Sequence, residues 1–391
     1  MIQINHRQAA STSALLELGF RPFFLGAAGF AVVSVVVWMG LFVFGWPIRL
    51  GLPPVTWHAH EMIYGYSLAV IAGFLLTAVR NWTDRPTLDG VPLLLVFLLW
   101  AAGRIVPFLG GVPLAVAAVT DTLFVVALLV GTTRPVVQAR QWGQVGVLAI
   151  PAVMLVSNLT FYLGALQLLP NGVFLGLYSG IYLILALIFK MGRRVIPPFI
   201  ERGVGYPVRL KNWRWLDLSS LVLFLLFWIS DLLTPNGAAV ALLAGLLCVL
   251  HGVRLAGWHT PGLWKKPLLW VLYLGYGWLA AGFALKAAAF VFGISPYLAV
   301  HAFAVGGIGM MTLGMMARVS LGHTGRNVLD PPPGLSWMFA VLFMGAVVRV
   351  LFPLLDASSS VLWIGLSQAL WITAFAMFLY LYAPMLVRPA V

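Results

Sequence analysis

The stretch Trp57-His58-Ala59-His60-Glu61-Met62 places two imidazoles and a carboxylate at the start of a long apolar segment that runs to Val79. Ionisable groups within a hydrocarbon layer are costly, so they are rare and mark functional sites. A third imidazole, His301, stands near the start of another apolar segment, Pro296 to Ala317. Neutral imidazole is a ligand for haem iron and for copper. On a regular helix His58 and His60 point about 200° apart. That spacing favours His60 as the deeper ligand, with His58 capping the helix or standing beside the site. His60 and His301 would then hold a haem between two helices. The alternative is that all three are interfacial histidines, packed and hydrogen-bonded with Trp57 and Glu61. The residues alone leave both readings open.

Three cations also lie inside apolar segments: Arg104, Lys286 and Arg349. Each needs a partner there. Haem propionates would suit Arg104 and Arg349, because guanidinium binds carboxylate through two parallel hydrogen bonds. Glu61, Asp121, Asp231 and Asp356 are the alternative partners, and Asp356 is close along the chain to Arg349. His251, His259 and His323 fall at the ends of two further apolar segments and just beyond them. They are candidates for a copper or second haem site, set against solvated interfacial histidines. Met310-Met311 and Met315-Met316 allow a copper path, but helix packing accounts for them more simply. Gly306, Gly307, Gly309 and Gly314 let a helix or flat cofactor approach closely. The sequence contains no phosphate-binding glycine loop, nucleophile triad or zinc-protease motif.

The elements that must position these groups follow from composition. Of 391 residues, 62% are hydrophobic and 8% charged, whereas soluble domains are about 45–50% apolar and about 25% charged. Such a chain is an all-α polytopic membrane protein, a single transmembrane domain over residues 1–391. No cleavable signal sequence is expected, since the chain is polar up to about Leu18. The lone cysteine, Cys248, excludes a disulfide framework and a cysteine zinc site. The net charge of +13 reflects basic loops rather than nucleic-acid binding. Spanning takes about 20 apolar residues. Twelve spans are expected: Phe23–Trp46, His58–Val79, Val91–Leu109, Val112–Thr132, Gln144–Leu168, Gly172–Lys190, Leu216–Thr234, Gly237–Gly257, Pro267–Phe292, Pro296–Ala317, Leu335–Phe352 and Ser359–Ala383.

With an even number of spans the termini share one side. That side collects the basic residues from Arg7 and Arg21 through Arg193, Arg194 and Arg202 to Arg318, Arg326 and Arg388, while Arg49 is the one basic residue in a loop opposite. Basic loops face the cytoplasm, so both termini are expected there, with His58, His60 and His301 near the outer face. Spans two, six and ten each run into a loop with arginine and proline: Arg80 to Pro86, Arg193 to Pro198 and Arg318 to Pro333. A threefold repeat of four spans would set these three around a common centre, in three four-helix arcs.

Three long stretches resemble the NnrS family. They are Phe20-Arg21-Pro22-Phe23-Phe24; Trp57 to Met62 with Gly65, continuing through Ala72 to Thr83; and His301-Ala302-Phe303 with Met311 to Arg326. The resemblance covers nearly the whole chain. It implies a bacterial inner-membrane protein with haem b and copper, tied to nitric oxide metabolism, nitrosative stress and denitrification. Where it implies histidine in spans five and nine, this chain has Phe161-Tyr162 and Tyr273. The twelve-span layout is also similar to the catalytic subunit of haem-copper oxidases. Spans six and seven hold no histidine, however, so a standard binuclear centre is not expected. The expected function is binding or turnover of nitric oxide, with an unidentified electron donor if the protein is an enzyme. The alternative is a secondary transporter or metal- or haem-handling permease. A membrane-bound sensor would dock its partner on Arg193 to Arg214.

Overall fold

The structure, a computed structural model, describes residues 13–391; Arg7 lies outside the described residues. Among the described residues there is no strand, and twelve helices are long and apolar enough to span a membrane. They are α1 (Phe20–Phe42), α2 (Pro54–Thr83), α3 (Gly90–Phe108), α4 (Leu114–Gln138), α5 (Trp142–Ala165), α6 (Gly172–Gly203), α7 (Arg214–Leu233), α8 (Ala238–Trp258), α9 (Pro267–Phe292), α10 (Pro296–His323), α11 (Leu335–Leu355) and α12 (Ser360–Val387). Proline opens α2, α9 and α10, where its missing N–H costs nothing and its φ suits a first turn. The end of α12 returns to the start of α1. There Arg21 donates to the Leu386 and Arg388 carbonyls at 3.1 and 2.5 Å.

Three spans run past their expected ends: α4 to Gln138, α10 to His323 and, furthest, α6. Arg193, Arg194, Pro197 and Pro198, assigned to a loop, are helical, and α6 continues to Gly203. Two prolines remove two ladder hydrogen bonds. Ile196 and Ile200, on the same stretch, are 1% and 0% exposed, and their burial holds the helix together across the prolines.

The helices form three arcs around three inner spans. The helices α3, α4 and α5 follow one another beside α2, and α7, α8 and α9 beside α6; α11, α12 and α1 follow one another beside α10, with α1 packed mainly along α2. The inner spans meet at the centre. There α6 touches both α2 and α10, and Tyr66 of α2 shares a 2.7 Å hydrogen bond with Thr312 of α10. The outer helices turn leucine and valine outwards, such as Leu218, Leu233, Leu242 and Leu362, as contact with lipid requires.

Two inner spans are irregular in the same way. Residues Glu61–Ser67 of α2 and Ala302–Gly309 of α10 wind as π-helix. Each π segment begins directly after a histidine. Such turns are uncommon and concentrate at functional sites. Gly65 lies in the first, and Gly306, Gly307 and Gly309 lie in the second. The Gly65 carbonyl accepts from Trp100 Nε1 at 2.9 Å, a partner outside its own helix.

Candidate cofactor site

The histidines of α2 face opposite ways. His60 is 1% exposed and points into the first arc. Its Nδ1 lies 3.2 Å from Glu61 Oε1, its Nε2 lies 3.0 Å from Asn158 Oδ1, and its ring stacks on Phe161 with centroids 4.4 Å apart. Arg104 completes this cluster. Its guanidinium donates to Glu61 Oε2 at 2.5 Å and also to Asp121 Oδ1, and Tyr162 OH donates to Asp121 Oδ2 at 2.7 Å. This is a closed polar network of charge-assisted bonds, the form in which buried charge is tolerated.

His60 faces Asn158 and Phe161, not His301, and of the two partners the sequence offered Arg104 the structure shows the carboxylates, Glu61 and Asp121. The physical reason lies with α2, which is enclosed on all sides. A 200° separation puts one histidine inside and one outside only on a helix that has an outside.

His58 points into the third arc. It is half-buried, its ring stacks on Trp38 with centroids 4.6 Å apart and planes within 6°, and its Nδ1 is buried without a hydrogen-bond partner. His301, also half-buried, lies within electrostatic range of His58, and Arg349 within range of both. The Tyr297 carbonyl is 2.7 Å from His301 Nδ1. A carbonyl can only accept, which puts the imidazole proton on Nδ1. The Nε2 lone pair is then exposed to the arc interior, where it accepts from Arg349 Nη2 at 3.0 Å. Metal-bound histidines are commonly oriented by this kind of second hydrogen bond to a backbone carbonyl.

Arg349 differs from the other cations in spans. Lys286 is paired with Asp231 at 2.9 Å, with Tyr182 OH donating to the same carboxylate oxygen at 2.5 Å. Among the described residues Arg349 has no carboxylate within ion-pair distance. Asp356, its expected neighbour, lies past the end of α11. There the Ser358 hydroxyl, with help from the Ser359 side, holds its carboxyl below the usual carboxylate range. That carboxylate belongs to its own turn.

The remaining histidines are not brought together. His251 is fully buried inside the second arc, 2.8 Å from Tyr276 OH and stacked on Phe189. This corrects its placement at an interface. His259 follows the end of α8, where Trp264 Nε1 donates to its Nε2 at 3.2 Å. His323 ends α10, beside Phe20 and 3.4 Å from Asn81 Nδ2. Among the described residues no group of three His, Cys, Asp or Glu gathers as a metal site.

One residue of the third arc escaped the sequence reading. Gln368 of α12 is 6% exposed, and both its amide atoms lack partners. One turn on, Trp371 donates to the Ala31 carbonyl of α1 at 3.2 Å, and one turn back Gly365 faces Val43. Gln368 therefore sits opposite the part of α1 that carries Trp38. An unpartnered buried amide costs roughly 1–3 kcal/mol. The available signal was a polar residue in an apolar span, but glutamine carries no charge and does not stand out.

These features define a class: a polytopic helical membrane protein whose third arc encloses two imidazoles, a guanidinium without an acidic partner and an unsatisfied amide. The chain belongs to the NnrS protein family, matching it over residues 14–390. Membership suggests a role in nitric oxide-related processes. A search of curated proteins finds no match.

Proposed function

We propose that this chain is a haem-binding protein of the bacterial inner membrane that binds or turns over nitric oxide, with the haem held in the third arc. His301 is its iron ligand, His58 is a second ligand that leaves the iron for the gas to add, and Arg349 sits at a propionate. The observation that carries this reading is His301: its proton is fixed on Nδ1 by Tyr297, and its Nε2 faces a cation that has no anion. The donor set fits the group. Two imidazoles come from adjacent inner spans, and a dianionic ligand would supply the charge that Arg349 lacks. Gln368 supplies a further hydrogen bond to the same ligand. When bound, the iron provides a place where a diatomic gas adds or an electron is held. Trp38 keeps the His58 ring in its plane by stacking, and Tyr297 keeps the His301 ring from rotating.

The transporter reading wants an ionisable group free near mid-span. Lys286, its best candidate, is locked to Asp231. No copper site is proposed. In this reading both termini are cytoplasmic; the basic loops support it, and so does the contact of Arg21 with the end of α12, which puts the start of α1 and the end of α12 on one side.

Optical spectra of the purified protein test the assignment. His58→Ala and His301→Ala should each lose or shift the haem bands, while His60→Ala keeps them. Unchanged bands in both of the first two variants would overturn the site. A reduced band that moves on adding nitric oxide supports gas chemistry, and an indifferent one replaces it with electron transfer.

A further inference from the structure

The three inner spans do not close completely where they meet. A partly open pocket of about 80 Å³ lies between Val70 and Ile71 of α2, Ile184 and Met191 of α6, and Met311 and Met315 of α10, with Phe24 of α1 at its edge. It lies beyond both π segments along α2 and α10, about three turns of helix from His58 and His301. Only two hydroxyls border it, and both are already engaged. Ser67 Oγ donates to the Met62 carbonyl at 2.7 Å; Thr312 Oγ1 donates to the Ile308 carbonyl at 2.6 Å and shares a bond with Tyr66.

A water molecule in a protein interior requires two to four polar partners. The two hydroxyls have spent their protons and keep only acceptor lone pairs, too few partners to hold a water well. A lining this apolar favours apolar guests such as xenon. The void is also too small for a drug-sized ligand, whose pockets run to about 300–1,000 Å³.

We propose that the cavity between α2, α6 and α10 is a binding site for a small uncharged molecule of diatomic size. Methionine thioethers from α6 and α10 add polarisable contact surface for such a guest. The site stands without any cofactor. Its role does rest on the haem reading: a diatomic gas dissolved in the bilayer would collect here, within one helix length of His58 and His301, before reaching the iron.

Xenon is the probe. In crystals of the full chain pressurised with xenon, an anomalous peak is expected among Ile184, Met191 and Met311. Ile184→Phe should abolish that peak while leaving any others, and Ile184→Ala should raise its occupancy. Val70→Phe serves as a second filling variant should Ile184→Phe fail to fold, as judged by size-exclusion chromatography. Absence of the central peak while xenon binds elsewhere would overturn the proposal. So would ordered water or an acyl chain in the cavity. The role is read separately, from gas recombination after flash photolysis of haem-loaded protein. Filling the cavity should change the fraction of gas that escapes by several-fold. Xenon bound in a protein that takes up no haem would leave the site standing and remove the reservoir role.

Discussion

Replacing Arg104 with methionine separates the two roles this arginine could have. The side chain is 5% exposed and contacts two carboxylates that are 1% and 2% exposed, Glu61 and Asp121. Removing it strands both anions. Breaking a buried ion pair by deleting one partner costs about 3–5 kcal/mol. His60 beside Glu61 and Tyr162 beside Asp121 retain one hydrogen bond each, which holds the loss within that range instead of doubling it. At about 1.4 kcal/mol per factor of ten, the folded-to-unfolded ratio should fall by roughly a hundredfold to a few thousandfold. Equilibrium unfolding in mixed detergent micelles reads this directly. A triple variant, Glu61→Gln with Arg104→Met and Asp121→Asn, removes all the charges together. It should recover to within about 1 kcal/mol of the parent, since replacing all partners is far cheaper than orphaning one. The haem bands of whatever folds should be unchanged, because the network faces the first arc. An Arg104→Met protein of normal stability that loses its haem would refute the reasoning and restore the propionate role.

Other consequences are as specific. Lys286→Met strands Asp231 and should cost about 3–5 kcal/mol in the same assay, and adding Asp231→Asn should return most of it. Gly176→Ala would bring a methyl group to 2.7 Å from the Phe161 Cα. Backbone cannot yield as a side chain can, so the α5–α6 hairpin should lose about 1–3 kcal/mol in thermal unfolding. Arg349→Gln should leave the protein as stable as the parent when haem-free, because no carboxylate is stranded. It should weaken haem retention by at least tenfold, measured by transfer to apomyoglobin.

The spans were legible because hydrophobic length is a one-dimensional signal, and the ends agree to within a few residues except at α4, α6 and α10, which run on past Thr132, Lys190 and Ala317. The site was legible in its residue types but not in its pairing. Periodicity says how far apart His58 and His60 point; it does not say that α2 is walled in on every side, so that both directions lead to an interior. The π segments after His60 and His301 add to this, since each shifts the register that a 3.6-residue period assumes. Partner choice was invisible for a different reason. Asp356 is nearest to Arg349 along the chain, yet Asp121 and Glu61 went to Arg104 and left Arg349 with none.

The first and third arcs are built on one plan, and their difference is the reason the haem is proposed in the third. Arg104 is followed by Ile105-Val106-Pro107, and Arg349 by Val350-Leu351-Phe352-Pro353; each arginine sits near the end of the first outer span of its arc. Aligning His58-Ala59 with His301-Ala302 sets Glu61 against Ala304. Asp121 lies early in α4, the next outer span, and Gln368 lies at nearly the same place in α12. The two carboxylates that neutralise the first arginine are thus an alanine and a neutral amide around the second. The first arc seals itself, whereas the third is left with one positive charge and an unsatisfied amide for something anionic to meet. Gln368→Glu should close the third arc in the manner of the first. The new carboxylate would pair with Arg349, hold or raise the stability of the haem-free protein, and lower haem content per chain by tenfold or more through repulsion of the propionates. Full haem occupancy in that variant would mean that Arg349 and Gln368 do not share an anionic ligand, and the site would have to be redrawn around His58 and His301 alone.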